Sequence, residues 1–170
     1  MAIAKEVTFE GLKYTLDNQD RLAATVAHQS AGNQVPVESI TGAATPTLTM
    51  ADSGKTYLLT ASGGSNTIAF TLPAVEVSAG FHACFIVKAT SNKDISWTSG
   101  ADNMIVSTTE FTASGNNQSH VTDTCTTLTI NADTVNAVVG DKVEIWCDGT
   151  NYFIKGFSNT QSNTAIFVAS

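Results

Sequence analysis

His120-Val121-Thr122-Asp123 places an imidazole three residues from a carboxylate, the pair of groups that a metal site or a hydrolytic constellation would use. No Gly-x-Ser-x-Gly elbow, His-x-x-x-His or His-Glu-x-x-His accompanies it, so the pair reads as a solvated loop. His82 opens an apolar run and reads as a partly buried, hydrogen-bonded residue. His28 closes a possible helix, where a cation suits the dipole. Cys84, Cys125 and Cys147 are an odd number with no Cys-x-x-Cys spacing, which predicts buried, reduced thiols and not a zinc site or a nucleophile. Glycoside cleavage would need two carboxyl groups about 5–9.5 Å apart on a rigid surface. Asp94, Asp102, Glu110, Asp123, Asp133, Asp141, Glu144 and Asp148 lie mostly in turn-like sequence, where Asp bonds local backbone, and no pair stands out. Ser99-Gly100-Ala101-Asp102-Asn103 offers too few oxygens at defined spacing for calcium, and Gly63-Gly64 lacks the Lys-Ser/Thr of a phosphate loop. Asn117-Gln118-Ser119 fits a glycosylation sequon that has meaning only in a secreted chain. The expectation is a chain without catalytic residues, metal or cofactor.

The elements that carry these groups are predicted to be strands. The chain has 170 residues with 25 Thr, 15 Ser and 12 Asn, so short, polar, uncharged residues make up nearly a third of it and disfavour long helices. Its length allows a core without disulfides or metal. Eight Lys+Arg against fifteen Asp+Glu give a net charge of -7, with one arginine, Arg21. Such a surface repels nucleic-acid phosphates and anionic lipid. The start, Met1-Ala2-Ile3-Ala4-Lys5-Glu6, has no basic region followed by an apolar stretch, and no segment approaches the roughly 18 apolar residues of a membrane span. Neither nucleic acid nor membrane is an expected partner, and synthesis in a cytoplasm is.

Composition changes near residue 45. Residues 5 to 28 hold seven charged groups, and Ser30 to Thr45 runs through Gly32, Pro36, Gly42 and small residues, so residues 1–45 read as an arm and linker and 46–170 as the folded domain. Leu12 and Leu16 fall at i,i+4, and Leu22, Ala23, Val26 and Ala27 continue the stripe, which predicts a short amphipathic helix over Leu16 to His28. From Pro46 onward short β-type runs alternate with Gly, Ser, Asn and Asp clusters. They cover Thr47–Met50, Thr56–Thr60, Thr67–Leu72, His82–Ala89, Asp94–Thr98, Met104–Ser107, Cys125–Asn131, Lys142–Cys147, Tyr152–Phe157 and Ala165–Val168. Ten such runs without helical segments between them predict an all-β fold, an antiparallel sandwich or jelly-roll-like barrel.

The last hairpin can be read to its register. If Asp148-Gly149-Thr150-Asn151 forms the loop, Trp146 faces Phe153 and Glu144 faces Lys155, while Val143, Ile145, Cys147, Tyr152 and Ile154 share the other face and enter the core. Trp146 and Phe153 then lie on the less protected side. Either a long loop covers them or they contact another subunit or partner.

Four pieces of the chain also resemble a known family by their order and spacing. They are Leu48-Thr49-Met50-Ala51-Asp52-Ser53-Gly54-Lys55-Thr56-Tyr57; Thr71-Leu72-Pro73-Ala74; Ala79-Gly80-Phe81 leading to Phe85-Ile86-Val87; and Gly140-Asp141-Lys142-Val143-Glu144 before Asp148-Gly149-Thr150-Asn151-Tyr152. The succession, covering about Leu48 to Phe157, resembles the β-rich decoration, or head-stabilising, proteins of tailed bacteriophages. Similar modules occur in some phage fibre proteins. Taken singly, the pieces have plain roles: Ser53-Gly54 supplies a turn, Pro73 ends a strand, and Gly80 and Gly140 precede strands.

The resemblance implies a homotrimeric β-domain on the exterior of a virion capsid, with an N-terminal arm that binds the major capsid protein. No motif in residues 1–45 carries the resemblance. The arm's Ile3, Val7, Phe9, Leu12 and Leu16 are the expected shell anchors, because an arm that orders on binding needs apolar side chains to offset its lost freedom; the alternative is that they pack on the parent sheet. The alternative reading is a phage fibre or receptor-binding module in which Trp97, Trp146 or Phe153 lines a site for carbohydrate or a host protein.

Overall fold

The computed structural model describes residues 5–9, 12–16, 36–64, 66–101, 103–111, 117–161 and 166–170. The chain forms two compact units, Met1–Val35 and Pro36–Ser170.

The first unit contains two antiparallel strands, β1 (Lys5–Phe9) and β2 (Leu12–Leu16). Lys5 lies opposite Leu16, Val7 opposite Tyr14 and Phe9 opposite Leu12. Directly opposed residues of an antiparallel pair share a face. The register therefore assigns Lys5, Val7, Phe9, Leu12, Tyr14 and Leu16 to one face, and Glu6, Thr8, Lys13 and Thr15 to the other. The helix expected over Leu16 to His28 is corrected at its first residue, because Leu16 ends a strand. The rest of that span lies outside the described residues. Leu12 and Leu16 satisfy a helical i,i+4 spacing, but with Tyr14 between them they also satisfy the period of two of a strand.

The second unit is all-β. Its strands are β3 (Val37–Thr41), β4 (Thr56–Thr60), β5 (Ile68–Thr71), β6 (His82–Val87), β7 (Ile95–Thr98), β8 (Met104–Phe111), β9 (Asn117–Cys125), β10 (Thr127–Ile130), β11 (Lys142–Cys147), β12 (Tyr152–Gln161) and β13 (Phe167–Ala169). They build a seven-stranded sheet in the order β3-β4-β6-β11-β12-β8-β9 and a four-stranded sheet in the order β13-β10-β7-β5. Both sheets are mixed, which corrects the expectation of uniformly antiparallel pairing: β3/β4, β4/β6, β8/β12 and β5/β7 are parallel. Parallel neighbours need long crossovers, and each of these pairs is joined through intervening chain and not by a tight turn.

The division at Val35/Pro36 also moves the expected boundary at residue 45. β3 joins the seven-stranded sheet through β4, and Ala44 and Thr47 bridge in parallel to Ile68 and Thr71 along β5. Small residues and a proline read as a linker, yet edge pairing needs only backbone donors and acceptors. The run Thr47–Met50 is likewise not a strand. Met50–Asp52 forms a 3-10 turn in which Asp52 Oδ2 accepts hydrogen bonds from the Thr49 amide at 2.8 Å and its hydroxyl at 3.0 Å.

The core lies between the two sheets. Alternation turns Tyr57 and Leu59, Ala83 and Phe85, Val143 and Ile145, and Tyr152 and Ile154 inward from one sheet; Ile68 and Phe70, Ile95 and Trp97, and Leu128 and Ile130 meet them from the other. Four aromatic rings knit the layers: Tyr57 stacks on Phe85 at 5.1 Å, Phe70 stacks on Trp97 at 5.9 Å, and Phe85 meets Phe70 and Trp97 edge-on at 4.8 and 5.2 Å. At Gly156 in β12 a Cβ would come within 3.0 Å of both Phe167 and Thr108, so the absent side chain is what lets β13 close over β12. Asp141 is buried beneath the start of β11 with every carboxylate oxygen engaged. Oδ1 accepts from the Ser158 hydroxyl at 3.0 Å and the Asn159 amide at 2.6 Å; Oδ2 accepts from the Val138 amide and the Thr160 hydroxyl, both at 2.9 Å. A buried charge persists only with such satisfaction. No helix among the described residues is long and apolar enough to cross a membrane.

Candidate functional site

The outer face of the seven-stranded sheet is built from one turn. Asp148 Oδ1 accepts hydrogen bonds at 2.7 Å from both the Thr150 and Asn151 amides, an Asx-type turn that these short polar residues favour. Those two bonds hold the Asp148 carboxyl below its ordinary value of 3.8. Gly149 takes φ of 94°, a conformation in which a side chain would be strained. A four-residue loop preserves parity, so Trp146 pairs with Phe153, Glu144 with Lys155, and Val143, Ile145, Cys147, Tyr152 and Ile154 all turn inward. Each of these placements is as the sequence predicts.

Among the described residues no long loop covers the outward pair. Trp146 is 43% exposed and Phe153 41%. Neighbouring strands extend the row: His82 of β6 lies opposite Trp146, and Ile105 of β8 lies beside Phe153. His82 is exposed and Ile105 half-buried. The next row contains Cys84, Glu144, Lys155 and Ser107. Glu144 Oε1 accepts from Lys142 Nζ at 3.1 Å in a half-buried surface pair of small energetic value. Burial, and then the Glu144 charge, pushes the Cys84 thiol up, which leaves it a poor nucleophile at neutral pH. This face sets two exposed aromatic side chains beside a row that carries opposite charges.

His82 is corrected from partly buried to exposed. Its amide donates to Ser53 Oγ at 3.1 Å, and its Nδ1 lies 3.4 Å from the same oxygen. His120 and Asp123 belong to β9 and not to a loop, opposite a strand whose register pairs His120 with Thr108. His28 lies outside the described residues, as do Ile3, Asp102 and the rest of the sequence beyond the stated ranges. Val7, Phe9, Leu12 and Leu16 share one face of the β1/β2 pair, and Lys5 and Tyr14, absent from the expected anchors, join them there. Trp97, a candidate for lining a ligand site, has no exposure and belongs to the core.

The remaining polar groups serve the fold. Asp94 Oδ1 accepts from the Asp133 amide at 3.0 Å, and Asp133 pairs with Lys93 at 2.7 Å. Asp52 receives Lys55 at 2.7 Å and the Tyr57 hydroxyl at 3.3 Å. Burial raises the Asp52 carboxyl, but the hydrogen bonds from Lys55 and Thr49 outweigh it and the net shift is downward. Burial pushes the phenols of Tyr57 and Tyr152 up to about 12. Cys147 is buried, and its Sγ accepts from the Gly149 amide at 3.4 Å. Among the described residues no group of three or more His, Cys, Asp or Glu is placed to hold a metal ion.

Sequence reasoning reached Trp146 and Phe153 but missed His82 and Ile105 as members of the same row. Their membership follows from which strands flank β11 and β12, and no local pattern carries that. No protein-family model, curated protein or solved structure matches this chain.

Proposed function

We propose that this chain is a bacteriophage virion protein that decorates the exterior of the capsid and braces it by binding across adjoining copies of the major capsid protein. The observation that carries this reading is the β1/β2 register, which gathers four of the five expected arm anchors, Val7, Phe9, Leu12 and Leu16, on one face of a separate unit. A unit of 35 residues without cysteine is below the roughly 40 residues at which a chain builds an adequate core alone, so that face needs cover from elsewhere. A shell surface supplies it. In a homotrimer three arms act together, and once one is bound the others rebind at high effective concentration, so modest contacts per arm give slow release. The order of the four motifs from Leu48 to Phe157 supports the same reading.

Purified protein is expected to co-sediment with expanded capsids and to raise their disruption temperature. Phe9→Ser with Leu12→Ser, or deletion of residues 1–28, is expected to weaken that binding at least tenfold while the sandwich still melts cooperatively. Unchanged binding by both variants removes the arm from the mechanism. Binding to host cells with none to capsids replaces the proposal with the receptor-binding reading.

A further inference from the structure

We infer that the face centred on Trp146 and Phe153 is a two-fold contact whose occupant is the same face of a second copy of this chain. β11 and β12 are antiparallel, with Trp146 opposite Phe153 and Glu144 opposite Lys155. A two-fold axis running between these strands and parallel to them, just above the sheet, exchanges one strand for the other. It therefore lays Trp146 of one copy over Phe153 of the other, and Phe153 over Trp146, in one operation. The same operation carries Glu144 over Lys155 and Lys155 over Glu144, because those two residues are paired in the adjacent row. It also brings His82 over Ile105 and Cys84 over Ser107, continuing both rows onto β6 and β8.

Charge selects a second copy over other occupants. Residues 36–170 contain five Lys and eleven Asp+Glu, so each body carries 5 − 11 = −6 and repels its copy over most of its surface. On this face the signs complement themselves: Glu144 meets a lysine and Lys155 meets a glutamate. Lys155 is exposed, and among the described residues Glu144 pairs with half-buried Lys142 of its own strand, a contact of small energetic value that a facing lysine can replace. Two exposed aromatic residues at the centre, ringed by polar groups, have the make-up of an interface hot spot. Eight positions per copy fall well short of the about 20–30 residues a side of a standard interface, so the association is weak and concentration-dependent. The inference goes beyond capsid binding and stands whether or not a shell is the partner.

Sedimentation velocity of the full chain across a range of concentrations tests it. The expected species contain an even number of chains, two or, where trimers also form, six. Glu144→Lys and Lys155→Glu are each expected to weaken the association at least tenfold by placing like charges face to face, and the double variant, which swaps the pair, to restore it to within a few-fold. Trp146→Ser is expected to abolish it. All three residues are at or near the surface, and an unchanged melting transition verifies the fold of each variant. Protein that remains single or purely trimeric at every concentration, single charge variants that associate normally, or a double variant that fails to recover each overturns the inference.

Discussion

Trp97 in β7 and Trp146 in β11 are the chain's two tryptophans; the first has no exposure and the second is 43% exposed. Both lie in short strands, and both have a neighbouring aromatic on the next strand: Phe70 beside Trp97 and Phe153 beside Trp146. What separates them is parity. In β7 the inward set is Ile95 and Trp97; in β11 it is Val143, Ile145 and Cys147, which leaves Trp146 on the other side of the sheet. The same side chain thus knits the core in one place and stands on the exposed face in the other. The assignment depends on one residue of register and not on residue type.

Trp97→Ala should break that contrast most sharply. It removes a buried ring that touches Phe70 and Phe85, and an expected loss of about 3–5 kcal/mol is measurable by urea unfolding. Its indole N–H has no hydrogen-bond partner among the described residues, so the whole cost is packing. Next comes Asp141→Ala, which leaves two hydroxyls and two amides without their acceptor; a loss of about 2–4 kcal/mol is expected in the same measurement. Asp148→Ala should have a smaller effect that depends on pH. Because the folded carboxyl is held below 3.8, its contribution is present in full above the unfolded value and is lost as pH falls through the folded one. Wild type and Asp148→Ala should therefore differ in melting temperature at neutral pH and converge in acid. Trp146→Ala should cost far less than Trp97→Ala, at about 1 kcal/mol for the isolated chain, since nearly half of the ring already stands in solvent.

Legibility followed the strength of local constraints. β4 and β11 begin and end where their alternation begins and ends, and the β11/β12 pairing followed from the parity of the Asp148–Asn151 loop. β3 could not be read, because Val37-Glu38-Ser39-Ile40-Thr41 is exposed at four of its five positions and so lacks the inward set that marks a strand. β9, Asn117–Cys125, is almost wholly polar except for Val121 and Cys125. The parallel pairings were invisible for a different reason: nothing in Thr56–Thr60 names β3 and β6 as its neighbours. At the site, Trp146 and Phe153 followed from one hairpin, whereas His82 and Ile105 depend on the order of four strands. Asp141 looked like one more turn aspartate because its partners Ser158 and Thr160 lie 17 and 19 residues further along.

The segment from Pro36 to Leu48 shields both sheets, although it looks dispensable. β3 caps the side of β4, and the chain from Ala44 to Leu48 exchanges main-chain hydrogen bonds with β5, including Ala69 to Ala44 at 2.8 Å and Leu48 to Thr71 at 2.9 Å. Truncation at residue 45, the cut that composition suggests, would uncap β4 and remove the first of those β5 bonds. Bared strands recruit one another between molecules, so the shortened protein would be prone to fibrous aggregation even with its interior intact.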